Sequence, residues 1–354
     1  CQVLVLDADD LQADQHAVEI VENYMDEDID LILAVGAGTI HDISRYIAFQ
    51  YKIPFISVPT AASVDGFVST IAAMNWNGMK TTVQAQPPIA VFADTGIFAH
   101  APERLTASGV SDLLGKYICL ADWKIEHIIT GEYICEEIIE LEEKILKTVR
   151  SCLRDIAEGD EPACEKLMYG LIFSGLAAQM AGNSVPSFSA EHHLLQLWEM
   201  EVINGRQEAL YGEKISVATM LVIQEYKRIA AAISEGRCRV RSYPEDVSIL
   251  IKKTFGNKDI FEKINEENQP DPLEGINPAR LEECLTEIAD VIDELPQEEE
   301  LLQAMKKAGC KYSVYDIGLT DEIISLSLKL APCVSRRLSL LRISKMLEIE
   351  GESL

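Results

Sequence analysis

No apolar run in these 354 residues approaches the roughly 20 needed to cross a bilayer, and the longest, such as 215–223, stop well short. No C-x-x-C pair occurs among the nine cysteines (1, 119, 135, 152, 164, 238, 284, 310 and 333). Their number is odd and most fall among helical apolar positions. Buried reduced thiols explain them better than a disulfide framework or a cysteine zinc site. Basic residues are scarce, 31 against 58 acidic ones, for a formal charge of −27. A field of that sign repels nucleic acid and anionic membranes, so neither is an expected partner. It also repels an anionic substrate, so any phosphate ligand must be captured by local donors. Residues 1–7 turn acidic too soon for a secretory leader, and there is no internal repeat or low-complexity tract. The expectation is a soluble, cytoplasmic protein.

What is present suits two globular domains. The chain is 48% hydrophobic and 25% charged, a globular composition, and is long for one core. The first hundred residues alternate strand and helix signals: Val3-Leu4-Val5-Leu6, a helical stretch over 15–25, a strand over 31–35, a helix over 40–51, and strands over 55–58 and 89–93. Short apolar runs between helices indicate a parallel sheet covered on both faces. After Pro102 the helical period takes over, first as Ile134, Ile138, Leu141, Ile145 and Val149, then over 162–181, 190–203, 213–233, 279–294, 299–308 and 321–348. A short strand near Tyr312 is the one exception. The predicted fold class is therefore α/β plus all-α. A Rossmann-like parallel-sheet domain spans 1–103 and a helical domain spans 104–354. Segment 256–278, rich in Asn, Glu and Pro, reads as a long surface loop.

The strand over 31–35 runs straight into Gly36-Ala37-Gly38-Thr39 and a helix. Glycines let a backbone turn sharply and approach a pyrophosphate, whose charge the helix N-terminus then meets. Thr39 is a candidate N-cap or phosphate donor. A plain strand-to-helix turn uses the same residues, so the motif alone does not decide. A second polar loop, Pro59-Thr60-Ala61-Ala62-Ser63-Val64-Asp65-Gly66, follows the strand over 55–58. Open α/β sheets bind ligands at such strand ends.

Together with Lys80-Thr81-Thr82-Val83, Ser111-Asp112-Leu113-Leu114-Gly115-Lys116-Tyr117 and Ala190-Glu191-His192-His193, these strings resemble the sn-glycerol-1-phosphate dehydrogenase family. The bacterial AraM type is the nearest match, within the dehydroquinate synthase-like and iron-dependent alcohol dehydrogenase fold group. The resemblance implies NAD or NADP as cofactor. It also implies a divalent metal (nickel, zinc or iron) that polarises a secondary alcohol, a small-molecule substrate, and a homodimer. By position it assigns Gly36, Gly38, Thr39, Asp42, Thr60, Ser63 and Ser69 to the cofactor. Asp65 and Asp112 take catalytic and substrate roles, Gln196 faces the substrate, and Asp112 and His192 hold the metal. A carboxylate and an imidazole suit a divalent cation.

Four departures accompany the resemblance. Tyr211, in Leu210-Tyr211-Gly212-Glu213, stands where the family places its third metal ligand, a histidine, and a neutral phenol is a poor ligand. Gln196 replaces a histidine four residues past His192. Asn183-Ser184-Val185-Pro186 lacks the arginine of an Asn-Ser-Arg-Pro run, a cation suited to a substrate phosphate. On this resemblance the chain begins at the family's second strand, without the first strand and helix that flank the dinucleotide. Three functions follow: dihydroxyacetone phosphate reduction, oxidation of a free polyol such as glycerol, or a catalytically silent nucleotide-binding homologue. Plainer roles stand beside the site assignments. Asp112 can cap a helix and pair with Lys116 at i+4, and His41 can sit solvated at a helix start. Cys119, Met180 and Trp198 can be core, with His16, His100 and His127 unremarkable.

Overall fold

A computed structural model describes residues 1–7, 11–76, 79–256 and 260–351. The chain divides into two compact units. The first comprises Cys1–Leu113, Glu142–Asn183 and Lys307–Cys310, and the second Leu114–Leu141, Ser184–Lys306 and Lys311–Leu354. The first unit thus takes in, besides the α/β segment, helices over 142–183.

In the first unit, α1 (Gln15–Glu22) is followed by β1 (Ile32–Gly36), α2 (Gly38–Tyr51) and β2 (Phe55–Pro59). The antiparallel pair β3 (Ile71–Trp76) and β4 (Met79–Gln84) comes next, then β5 (Ala90–Val91) and α3 (Thr95–Phe98). β1, β2 and β5 form a parallel sheet in the order β1-β2-β5, with Ile32 opposite Phe55 and Gly36 opposite Pro59. That register brings the two ligand-type loops to the same end of neighbouring strands. Ala34, Ala48 and Phe55 bury the contact of α2 with the sheet. The opposite face is not covered as expected: Leu33 and Val35 are 54% and 57% exposed. β3 alternates buried Ala72 and Met74 with exposed neighbours, and these pack with Ile43 and Ile47 of α2 and Ala17 and Val18 of α1.

Four further helices begin or continue in this unit: α4 (Glu103–Thr130), α5 (Glu136–Arg150), α6 (Leu153–Ala157) and α7 (Glu161–Ala181). Two glycines let helices approach the loop after β2. A Cβ on Gly109 of α4 would lie 2.0 Å from the Ala62 carbonyl oxygen, and one on Gly175 of α7 2.6 Å from that of Asp65. The loop is clasped where no side chain fits.

The second unit is built on α8 (Ala190–Glu199) and α9 (Tyr211–Ser234), with β6 (Cys238–Val240), α10 (Ser248–Phe255), α11 (Phe261–Glu267), α12 (Pro278–Asp293) and α13 (Glu298–Lys307). It ends with α14 (Glu322–Leu330), α15 (Leu340–Ile343) and β7 (Leu347–Ile349), the last pairing antiparallel with β6. α9 is buried along most of its length, as a central helix must be when apolar residues occupy every face.

Several expectations are corrected. Val3-Leu4-Val5-Leu6 joins no strand: Val3 and Val5 are exposed, and only Leu6 packs on the core. The loop expected over 256–278 contains α11 and a 3-10 turn at Pro272–Gly275, anchored by buried Ile264 and Leu273; its residues 257–259 lie outside the described residues. The helix expected over 321–348 breaks at Ala331–Val334, where Pro332 cannot continue it. No strand forms at Tyr312; the turn Val314–Ile317 follows. Ala37, not Thr39, is the N-cap of α2. Asp112 lies inside α4 and so does not cap that helix. Met180 is exposed rather than core. Cys119 and Trp198 are fully buried, and all nine cysteines are free, seven of them buried.

Candidate active site

In the first unit the Gly36–Thr39 loop and the loop after β2 touch. The Thr60 N–H donates to the Gly36 carbonyl at 3.0 Å, and Gly38 faces Val64 so closely that a Cβ there would sit 3.2 Å from its methyl carbon. Ala37 caps α2 without a side-chain bond, so the first-turn N–H groups remain donors toward a ligand. His41 is not solvated: it is fully buried, its Nδ1 2.9 Å from the Ala37 carbonyl oxygen and its ring edge-on to Phe67. Burial, with the Arg45 charge nearby, outweighs that bond and lowers its pKa to about 4, so the ring is neutral. Arg45, also buried, donates to the carbonyls of Gly66 and Ile71 and lies 3.9 Å from Asp42. Asp42 therefore meets a cation of its own helix. Ser69 is likewise engaged, its hydroxyl bonding the Ile71 backbone. Ser63 is buried, and its carbonyl accepts from the Ser108 hydroxyl at 3.1 Å.

Asp65 and Asp112 come together here. The Asp65 N–H donates to Asp112 Oδ2 at 2.8 Å, and the Ser174 hydroxyl donates to Asp65 Oδ2 at 3.1 Å. Asp112 is fully buried, a placement that needs a hydrogen-bond or metal partner to be tolerated. The Asp65 amide fixes one of its oxygens and orients the other.

In the second unit, α8 opens with a buried run. Glu191 is fully buried and His192 is 2% exposed. Glu191 Oε1 meets His192 Nδ1 at 2.6 Å and accepts from the Cys119 thiol at 2.9 Å. Burial pushes the Glu191 carboxyl up, but the adjacent His192 and its hydrogen bonds outweigh this and hold it below the ordinary value. Burial and the same carboxylate push the Cys119 thiol far above its usual range, which makes it a donor. A carboxylate on Nδ1 fixes the tautomer and turns Nε2 outward as the ligand nitrogen, the arrangement common behind metal-binding histidines. The ligand atoms of Cys119, Glu191 and His192 lie within 4.8 Å of one another. The Tyr211 ring centroid lies 5.9 Å from that of His192. Gln196 lies one helical turn beyond His192 and is half-buried. Lys116 is fully buried rather than at a helix surface, and its Nζ donates to the Ser187 carbonyl at 3.0 Å.

Sequence reasoning missed Ser174, Glu191 and Cys119 as site residues. Glu191 was legible as an acid beside His192. Cys119 was legible as one helical step pair, i+7, from Asp112, but its apolar neighbours gave it a core reading.

Residues 1–102 match the iron-containing alcohol dehydrogenase family. The glycerol-1-phosphate dehydrogenase [NAD(P)+] of Geobacillus stearothermophilus is 34% identical over 322 residues, 90% of this chain and 72% of that protein. The protein of the same name from Halalkalibacterium halodurans is 31% identical, over 94% of this chain and 75% of its own. Among solved structures, a probable glycerol dehydrogenase from Sinorhizobium meliloti 1021 superposes with a TM-score of 0.60 at 16% identity, covering 94% of this chain and 77% of that one. The glycerol dehydrogenase of Schizosaccharomyces pombe gives 0.53 at 18% identity, covering 85% and 78%. These two share the fold, an α/β domain followed by helices. With a third of its residues shared over nine-tenths of its length, the chain belongs to the glycerol-1-phosphate dehydrogenase family.

Proposed function

We propose that this protein is an NAD(P)-linked dehydrogenase that interconverts sn-glycerol 1-phosphate and dihydroxyacetone phosphate. Family membership supports the reaction, and the observation that carries the chemistry is His192, buried and oriented through Nδ1 by Glu191. The α2 N-terminus and the Thr60–Gly66 stretch receive the dinucleotide, with Gly36, Gly38, Thr39, Asp42, Thr60, Ser63 and Ser69 as its neighbours. Asp112 and His192 would hold a divalent ion, to which a buried carboxylate and a fixed imidazole are suited. The ion, when bound, supplies Lewis-acid stabilisation of the alkoxide. Asp65, fixed by Ser174 and by Asp112, orients the substrate hydroxyl for hydride transfer. The nucleotide half ends near residue 103 and the helical remainder carries metal and substrate.

The silent-homologue reading is not supported. Relatives across nine-tenths of the chain carry dehydrogenase names, and a group of ligand-type side chains surrounds His192. The free-polyol reading keeps one observation in its favour, Val185 in place of a family arginine. Free thiols throughout suit a reducing compartment, so the protein is read as cytoplasmic, and as a homodimer whose mass sedimentation equilibrium would give. Among the described residues no helix is long and apolar enough to cross a membrane. The reaction is tested by oxidation of NADH and NADPH with dihydroxyacetone phosphate and, separately, dihydroxyacetone. Turnover of the phosphorylated ketone is expected; turnover of the free ketone alone would return the polyol reading.

A further inference from the structure

Arg337 projects from the segment between Val334 and α15 onto the turn Val185-Pro186-Ser187-Phe188 of the same unit. Its Nη1 donates to the Val185 carbonyl at 2.6 Å and to that of Phe188. Lys116 donates to the Ser187 carbonyl between them. Three acceptors of one short turn thus face two cations, in a chain whose formal charge is −27. The Phe188 ring lies 4.7 Å from that of His192 and 5.6 Å from that of His193, so the turn adjoins the proposed metal-binding histidine.

Arg337 Nε and Nη2 are shut away from solvent and meet no acceptor among the described residues. They form the edge of the guanidinium that binds two oxygens of a carboxylate or phosphate side by side. Buried donors of a charged group are costly to leave unpaired. His193 is also fully buried with both ring nitrogens unpartnered. Asp122 and Glu126 both feel the Arg337 charge, but neither takes up this edge: the Ser189 and Tyr226 hydroxyls and the Leu340 N–H occupy the Asp122 oxygens, and no hydrogen bond joins Glu126 to the edge among the described residues.

We propose that the Nε–Nη2 edge of Arg337 receives the substrate's phosphate group, supplying from the C-terminal segment the cation that Val185 does not provide. This rests on the dehydrogenase reading above. A phosphate dianion fits the site because its oxygens accept from both guanidinium hydrogens and from His193, and because a fixed local cation offsets the repulsion of the acidic chain. The 2′-phosphate of NADPH has the same chemistry, and the test separates the two.

Wild type, Arg337→Met and Arg337→Lys are compared as metal-supplemented enzyme. The ratio of kcat/KM for dihydroxyacetone phosphate over dihydroxyacetone should fall at least about tenfold in Arg337→Met and by less in Arg337→Lys, which keeps the charge without the fork. Inorganic phosphate, added with NADH saturating, should raise the Tm of wild type but not of Arg337→Met. An arginine that only pins the turn would lower turnover of both ketones alike and leave the ratio within about twofold, overturning the proposal. A changed NADPH-to-NADH preference with an unchanged ketone ratio would move the phosphate to the cofactor and also overturn it. Should Arg337→Met not fold, Arg337→Lys carries the same comparisons. Absence of turnover in wild type would count against the dehydrogenase reading, and the phosphate-dependent Tm would then decide the subsite alone.

Discussion

Tyr211 stands 5.9 Å, ring to ring, from His192, so the departure most damaging to metal binding is a local one. A phenol retains its proton near neutrality and offers a weak neutral oxygen. Two protein ligands hold a divalent ion less firmly than three, so low metal content is expected after purification. Tyr211→His places an imidazole beside His192. Metal affinity should rise by about tenfold or more, on the order of 1.4 kcal/mol. Calorimetric titration with zinc or nickel checks it, and equal affinities would show that Tyr211 does not limit binding. A second residue-scale expectation concerns pH. His41 is neutral in the fold down to about pH 4, whereas an unfolded histidine takes a proton below its ordinary 6.5. The unfolded state therefore binds more protons across that window, and the stability contribution is complete above pH 6.5 and lost as pH falls toward 4. Relative to His41→Gln, wild type should lose roughly 2–3 kcal/mol between pH 7 and 4.5. Denaturant unfolding at the two pH values measures it; a constant difference would contradict the buried, neutral ring.

At the level of elements, the loop joining β1 to α2 carries the cofactor assignment. A Cβ on Gly38 meets Val64 at 3.2 Å, a contact that a small shift absorbs, while the methyl group narrows the space where phosphate approaches the helix start. Gly38→Ala should weaken NADH binding by about tenfold with a Tm change of only a few degrees; unchanged affinity in calorimetry would remove the loop from the cofactor site. A larger side chain here presses on Val64 and confounds binding with folding. This loop was legible in the sequence because a strand, two glycines and a helix follow one another without interruption. The β3–β4 pair was not, because the alternation of Ile71-Ala72-Ala73-Met74 is muted by alanine on both faces. Asp112 was legible as a site residue only through its resemblance. Its position inside α4, bonded to the Asp65 amide, is a tertiary fact that spacing does not reveal. Arg337 lies far along the chain from the turn it reaches, beyond any local signal.

At the scale of the whole molecule, each unit presents its own part of the proposed chemistry. The first brings the two strand-end loops together with Asp65 and Asp112, and the second builds a buried polar group around His192. The acidic balance works against an anionic substrate everywhere except where cations are fixed, which is why Arg337 and Lys116 matter beyond their immediate contacts. Weak metal retention makes the activity conditional: the dehydrogenase should be poorly active as purified and respond to added ion. The most direct measurement is the rate of dihydroxyacetone phosphate reduction by NADH or NADPH, in chelator-treated protein titrated with nickel, zinc or ferrous iron. The expected result is a rate near background that rises saturably with at least one of these metals, giving sn-glycerol 1-phosphate. A protein that binds NADH yet reduces no ketone at any metal concentration would contradict the account.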